Sequence, residues 1–127
     1  NHTVLLRSDG RAVACGDNED GQCDLPEPEP GASYAQVAAG CDHTVLLRSD
    51  GRVLARGDDE YGQCSLPEAE EGLIYLHVAA GFYHTVLLRS DGRATACGDN
   101  DNSQCDIPEA EPGVAYVQAA AGANHTV

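Results

Sequence analysis

The sequence predicts an all-β protein built from repeated small antiparallel sheets, and three observations predict it. The first is a period. His2, His43, His84 and His125 each open a His-Thr-Val, 41 residues apart, and HTVLLRSDGR is identical at 2–11, 43–52 and 84–93. The second is a hairpin signal in each unit, Ser-Asp-Gly set between two short runs. The third is that apolar residues show no helical periodicity anywhere along the chain. A period of this length marks units that cannot bury their own apolar face and stack into a shared core. It points to a surface-presenting scaffold and away from a single catalytic pocket. The units run 2–42, 43–83 and 84–124, and a fourth starts at 125–127.

The middle unit shows each element. Residues 43–48 are β-branched and apolar, and too few for a helix. Ser49-Asp50-Gly51 follows, and Asp-Gly predicts a two-residue type I′ turn, whose central residues both need positive φ. Residues 52–57 return as a second strand. Val45, Leu46 and Leu47 are consecutive, so the first strand is apolar on both sides, whereas a sheet with one wet face would alternate. Residues 58–62 have loop composition. Residues 63–67 read as a short outer strand or an ordered crossover, with Pro67 suited to an edge or an exit. An acidic connector spans 68–72, written Pro-Glu-Pro-Glu-Pro-Gly at 26–31. The last strand, 75–81, ends in Ala-Ala-Gly, as do 38–40 and 120–122. Small side chains suit strands that converge on an axis. Sheets buried on both faces and narrow at one edge are the blades of a propeller. The expected architecture is therefore a partial β-propeller, an open arc of three blades of antiparallel strands.

The chain carries 21 acidic residues against 7 Arg and no Lys, a net charge of −14 over 127 residues. The acidity recurs in every unit and is not a tail. It excludes direct contact with nucleic-acid phosphates, which needs Lys/Arg density. It permits a basic protein partner, and it also serves as a solvated surface that keeps an array soluble. No stretch approaches the roughly 18 apolar residues of a membrane span, and no signal peptide is visible. The chain starts without Met, and both its ends read Asn-His-Thr-Val. The expectation is a piece of a longer array, or a product built from one.

Of six Cys, Cys23, Cys64 and Cys105 hold one repeat position. Cys15 and Cys97 hold another, where the middle unit has Arg56, and Cys41 stands alone. A disulfide framework would keep its pairs in every unit, so free thiols are expected, and with them an intracellular, cytoplasmic or nuclear setting. The alternative is pairing of Cys15 with Cys23 and of Cys97 with Cys105, as strand neighbours within a blade.

The run Val37-Ala38-Ala39-Gly40-Cys41-Asp42-His43-Thr44-Val45-Leu46-Leu47 resembles the signature of the regulator of chromosome condensation repeat. It recurs at 78–88 and starts again at 119–127. Ser-Asp-Gly, Gly16-Asp17-Asn18 with Gly98-Asp99-Asn100, and Gly21-Gln22 with Gly62-Gln63 are similar to the family as well. The chain departs from it at Cys15, Arg56 and Cys97, where the family commonly has an aromatic. It departs again at Gln-Cys-Asp-Leu-Pro in place of Gly-Gln-Leu-Gly, and at Ser103 in place of Gly. The resemblance implies a propeller, usually seven-bladed, with three or four strands per blade. Three units are fewer than half of such a ring. An arc leaves an apolar blade face open at each end, so further blades or association of copies must close it. The resemblance also implies non-enzymatic roles: a guanine-nucleotide exchange factor for a small GTPase, a substrate-binding part of a ubiquitin ligase, or a protein inhibitor. An exchange factor works by binding the nucleotide-free GTPase better than the loaded form, which needs an extended complementary face and no covalent chemistry.

The four repeated His lack Cys or His neighbours at ligand spacing, and equivalent positions on blades lie far apart, so no metal is expected there. They are expected to bond backbone at the blade junction. His77, where sister units have Gln36 and Gln118, is expected to be a surface substitution. The acidic loops lack the terminal ligand of a calcium loop, so no metal and no cofactor is expected. The candidate partner-binding residues are Asp17, Glu19, Asp58, Glu60, Asp99 and Asp101 in the loops, and Glu27, Glu68 and Glu109 in the connectors. No catalytic constellation is visible: no Lys, no Gly-x-Ser-x-Gly elbow and no Walker loop. The sequence thus predicts a non-enzymatic protein-binding scaffold whose partner is a protein, basic or a small GTPase. Nucleic acid and membrane are not expected partners, and self-association through open blade faces is. Two alternatives stand beside it. One is a self-assembling repeat with no other partner. The other is a β-trefoil carbohydrate-binding module, against which stand the lack of Trp, the Ala-Ala-Gly strands and the fourth start at His125.

Overall fold

The computed structural model describes residues 1–127. Its strands are β1 (His2–Leu6), β2 (Ala12–Gly16), β3 (Tyr34–Ala39), β4 (His43–Arg48), β5 (Val53–Gly57), β6 (Tyr75–Ala80), β7 (His84–Arg89) and β8 (Ala94–Gly98). They form three antiparallel sheets, β1-β2, β3-β4-β5 and β6-β7-β8. The protein is an all-β partial propeller of three blades. Strands pair only within a blade, so the closed threefold barrel of a β-trefoil does not form.

Blades and sequence units are out of phase. β3 ends one unit, and the hairpin β4–β5 opens the next. The turn at 40–42 is tight, so β3 pairs across it with β4, Ala38 opposite Val45 and Ala39 opposite Thr44. In the third unit the corresponding segment meets only residues 125–127. It makes an isolated bridge between Ala121 and Thr126, and Ala120 and Val127 exchange N–H···O bonds of 2.8 Å. The strand expected at that place is accordingly not formed.

Val45, Leu46 and Leu47 are buried, as are Val86, Leu87 and Leu88. Alternate side chains of β4 face opposite neighbours, and each buried aliphatic contributes about 2 kcal/mol. Val45 and Leu47 pack with Tyr75, Val78 and Leu87 of the third blade, and Ala38, Val53, Ala55, Leu66 and Ala80 complete the cluster. β6 packs on both β3 and β4, with no comparable packing of β8 on β5. The Ala-Ala-Gly strands are therefore the edges on which the blades converge. A Cβ on Gly40 would lie 2.5 Å from Gly81 O, and one on Gly81 2.5 Å from Gly122 O.

One local expectation is corrected and one open alternative is decided. The turn is not type I′. Gly51 has φ +85°, and Asp50 is not in the positive-φ region. Gly51 N–H donates to Arg48 O at 3.0 Å, and Arg48 N–H to Arg52 O at 2.8 Å. This is a type I turn followed by a left-handed Gly, the three-residue hairpin. The Asp50 carboxylate selects it by accepting from Arg52 N–H at 3.2 Å and pairing with the Arg48 guanidinium at 2.8 Å. Residues 63–67 form the crossover and no outer strand, because their backbone is satisfied locally. Cys64 N–H donates to Asp59 Oδ1 at 2.8 Å, and Ser65 N–H to Gly62 O at 3.1 Å. All six Cys are free, so the pairs Cys15–Cys23 and Cys97–Cys105 are not formed.

Candidate functional site

The blade junctions share one construction. His43 is fully buried, and its Nε2 lies 3.0 Å from Thr85 Oγ1 in the next blade. The Thr85 hydroxyl donates to Gln63 O at 2.8 Å. His2, Thr44 and Gln22 repeat the arrangement at 2.7 Å and 2.7 Å, and His84, Thr126 and Gln104 at 3.1 Å and 2.8 Å. A hydroxyl that donates to a carbonyl must accept from the imidazole, which puts a proton on Nε2. Burial, with the neighbouring His84 and His2, pushes His43 down to about 4 against the weaker pull of Asp58 and Asp42. Burial is also the leading cause lowering His2 and His84. The histidines are thus structural clamps, but their partner is a Thr hydroxyl and not the expected backbone. His77 is no surface substitution either. Its Nε2 lies 3.0 Å from Ala119 O, as its counterpart Gln36 accepts from Val78 N–H at 3.1 Å.

The Gln of each unit fastens the acidic loop. Gln63 is buried. Its Oε1 accepts from Tyr61 N–H at 3.0 Å and its Nε2 donates to Asp58 Oδ2 at 3.0 Å, while Asp58 Oδ1 accepts from Glu60 N–H at 3.0 Å. Gln104 and Asp99 repeat this around Asn102 and Asp101, and Asp17 Oδ1 accepts from Glu19 N–H at 3.1 Å. The Cys64 thiol donates to Asp58 O at 3.2 Å and is pushed up to about 12 by burial and then by Asp59 and Asp58. It is a packed thiol without nucleophilic character.

The nine candidate acids separate into two sets. The loops at 17–22, 58–63 and 99–104 lie at the end of the blades that carries the turns at 40–42 and 81–83. Asp58 N–H donates to Asp42 O at 2.9 Å and Asp99 N–H to Tyr83 O at 2.8 Å. The connectors lie at the opposite end beside the hairpins. Tyr75 N–H donates to Gly51 O at 3.0 Å and Ser90 N–H to Ile74 O at 2.8 Å. Strands of this length separate the two faces by about 17 Å. The loop face holds Asp17, Glu19, Asp58, Glu60, Asp99 and Asp101, and the hairpin face holds Glu27, Glu68 and Glu109. On the loop face the carboxylates of Asp17, Asp58 and Asp99 are engaged in their own loops, which leaves Glu19, Glu60 and Asp101 exposed. The connectors are tied down by the tyrosines of the repeat: Tyr34, Tyr75 and Tyr116 donate to Pro26, Pro67 and Pro108 carbonyls at 2.7, 2.7 and 2.5 Å.

A further group on the loop face is not among those candidates. The chain has five Tyr and one Phe. Three are the connector tyrosines, and the other three, Tyr61, Phe82 and Tyr83, meet at one point. The Tyr61 and Tyr83 ring centroids are 5.2 Å apart, and those of Phe82 and Tyr83 are 6.3 Å apart in an edge-on arrangement. Tyr61 is 47% and Phe82 49% exposed. Cys41, with burial and the Asp42 carboxylate, raises the Tyr83 phenol above its usual range. Sister units carry Asp20 and Asn102, Cys41 and Ala123, and Asp42 and Asn124 at these three positions. The legible signal was this departure from the repeat.

A sequence model described as the Regulator of chromosome condensation (RCC1) repeat matches residues 1–22, 34–63 and 76–104, more than half of the chain. No curated protein matches the sequence significantly. Among solved structures, Prp20p from Saccharomyces cerevisiae, described with its binding properties to Gsp1p and histones, is similar at 20% identity and a TM-score of 0.77, over 98% of this chain and 40% of that one. The CRINKLY WD40 ectodomain of the Arabidopsis thaliana receptor kinase ACR4 is similar at 23% identity and 0.73, over 98% and 46%. Human WBSCR16 is similar at 16% and 0.74, over 98% and 41%. These likenesses are of fold, and the chain spans less than half of each of those structures. The repeat signature, carried on blades of the same architecture, decides the family: the chain belongs to the regulator of chromosome condensation repeat family.

Proposed function

We propose that this chain is a non-enzymatic protein-binding scaffold that presents the loop face of its blades to a protein partner. The observation that carries this reading is the row Glu19, Glu60 and Asp101. Equivalent exposed carboxylates recur at one place per blade on loops made rigid by Asp17, Asp58, Asp99 and the buried Gln, so the row is preorganised. The partner is a basic protein or a small GTPase. The family resemblance supports exchange-factor or ubiquitin-ligase substrate-binding roles, and the binding of Prp20p to Gsp1p and histones supports a protein ligand. Glu27, Glu68 and Glu109 make a second candidate surface on the other face. Free thiols support an intracellular setting, cytoplasmic or nuclear. The test is binding to nucleotide-free and loaded small GTPases and to small basic proteins. Binding at micromolar concentration is expected, weakened about tenfold by Glu19→Lys, Glu60→Lys and Asp101→Lys together and weakened by salt. Absence of binding to every probe would sink the scaffold reading.

A second reading, self-association, is favoured by the blade flanks. Leu5 is 58% and Val127 79% exposed, whereas the equivalents Leu46, Leu87, Val45 and Val86 are fully buried between blades. The two end flanks are copies of surfaces that already seal against one another, so a second chain can stack head to tail. Sedimentation should show mass rising with concentration, and Leu5→Glu should return the chain to monomer. A monomer at all concentrations removes this reading.

A further inference from the structure

The repeat shows which residues the fold requires. Where strand, clamp and loop geometry demand a residue type the units mostly agree, Ser103 at φ +58° in place of Gly21 and Gly62 being a departure. At 61, 82 and 83 they do not, and the sister units build the same loop and turn from Asp20, Asn102, Cys41, Ala123, Asp42 and Asn124. Three aromatics at these positions are therefore not needed for folding. They come from two segments 21 residues apart and gather over the junction of the second and third blades, where Cys41 N–H donates to Phe82 O at 3.3 Å. Half-exposed aromatics cost solubility and leave apolar area unburied.

The surroundings decide what covers them. Glu60 adjoins Tyr61 and is exposed, and Asp42 stands at the turn whose carbonyl holds Asp58 N–H. Six of the seven Arg flank the hairpins on the opposite face, and the seventh, Arg56, turns back onto Ala55 O at 3.0 Å. The site is thus an aromatic surface with carboxylates beside it, and the cation next to it, the Asn1 ammonium, is held by Cys41 O at 3.0 Å. A purely apolar segment would leave those carboxylates desolvated and unpaired, and a phosphate would be repelled. A guanidinium satisfies both features, because its plane stacks on aromatic faces while its N–H fork pairs with a carboxylate. An ammonium satisfies them less well, being a compact and strongly hydrated charge.

We propose that Tyr61, Phe82 and Tyr83, with Asp42 and Glu60, form a docking point for an arginine side chain on an exposed segment of a protein partner. The proposal rests on the scaffold reading and names the chemistry of its partner.

The test uses the whole chain and a synthetic peptide of about ten residues alternating Gly and Arg, against the same peptide with Lys. Binding is read from the fluorescence anisotropy of a dye attached to the peptide. The disrupting variant takes the residues of the third unit, Tyr61→Asn, Phe82→Ala and Tyr83→Asn, which that unit already folds with. The Arg peptide should bind about fivefold tighter than the Lys peptide, and the triple variant should bind it about tenfold more weakly at an unchanged unfolding temperature. Equal binding of the two peptides, or binding unchanged in the variant, would overturn the docking point and leave the scaffold reading to its own assay. A variant that changes only the sedimenting mass would overturn it in favour of a second copy as the occupant.

Discussion

Gly81→Ala is expected to destabilise the chain by about 3 kcal/mol or more, the upper range for overpacking a close-packed site. The cause is space and not backbone freedom, since Gly81 is not among the residues with positive φ. An alanine Cβ there would overlap the His84 ring at Cε1 and Nδ1 and lie 2.5 Å from Gly122 O. Neither neighbour can yield cheaply. The His84 ring is held by Thr126 at 3.1 Å, and Gly122 belongs to the segment that packs beside the next blade edge. Relief requires the blades to move apart at the point where they converge. Gly62→Ala is the contrasting control. Gly62 has φ +81° with nothing within 4 Å of its would-be Cβ, so its replacement costs only the left-handed conformation, about 1–2 kcal/mol. Urea unfolding midpoints of the two variants against the parent chain check this. Equal losses would show that the inner edge has room, and the account of the Ala-Ala-Gly strands would fail.

The all-β character and the blade stacking were legible because they follow from local pattern. Three consecutive aliphatics in a six-residue strand can only be buried if both faces are covered, and Ala-Ala-Gly can only face something close. Loop length was not legible. Ser-Asp-Gly fits a two-residue or a three-residue hairpin, and the choice was made by Asp50 bonding Arg52 N–H and Arg48 at once. The partner of His43 was misjudged for a different reason. Its hydroxyl acceptor is 42 residues away, which is one period plus one position. It follows from the period only once neighbouring blades are known to be stacked in register. The separation of the acids into two faces is likewise a matter of strand direction: Asp58 and Glu68 are ten positions apart in sequence, but the crossover between them runs the height of a blade. The aromatic trio occupies positions where the sister units carry other residues, but nothing in the chain order says that Tyr61 meets Tyr83.

Stability should fall on mild acidification, before the carboxylates titrate. Unfolded, the His43 imidazole takes up a proton near its ordinary value of 6.5, and folded it does so only at about 4. At pH above 6.5 it is neutral in both states and the full stabilisation is present. Between the two values the unfolded chain binds a proton that the folded chain refuses, so each step down in pH favours unfolding. Below about 4 both states are protonated and the loss stops growing. The gap corresponds to about 3 kcal/mol in all, of which about 2 kcal/mol is lost by pH 5. His2 and His84 are lowered as well and act in the same direction. The 21 acidic residues and the net charge of −14 act oppositely: their protonation relieves repulsion. A free carboxylate in water titrates at about 4, below pH 5. The window from 6.5 to 5 therefore belongs to the histidines. Urea midpoints taken at closely spaced pH values should decline across it, and His43→Gln, neutral at every pH and still able to donate to Thr85, should decline less. A midpoint flat from pH 7.5 to 5 would mean that the junction admits a charged imidazole. The buried His–Thr–carbonyl clamp would then not be what holds neighbouring blades together.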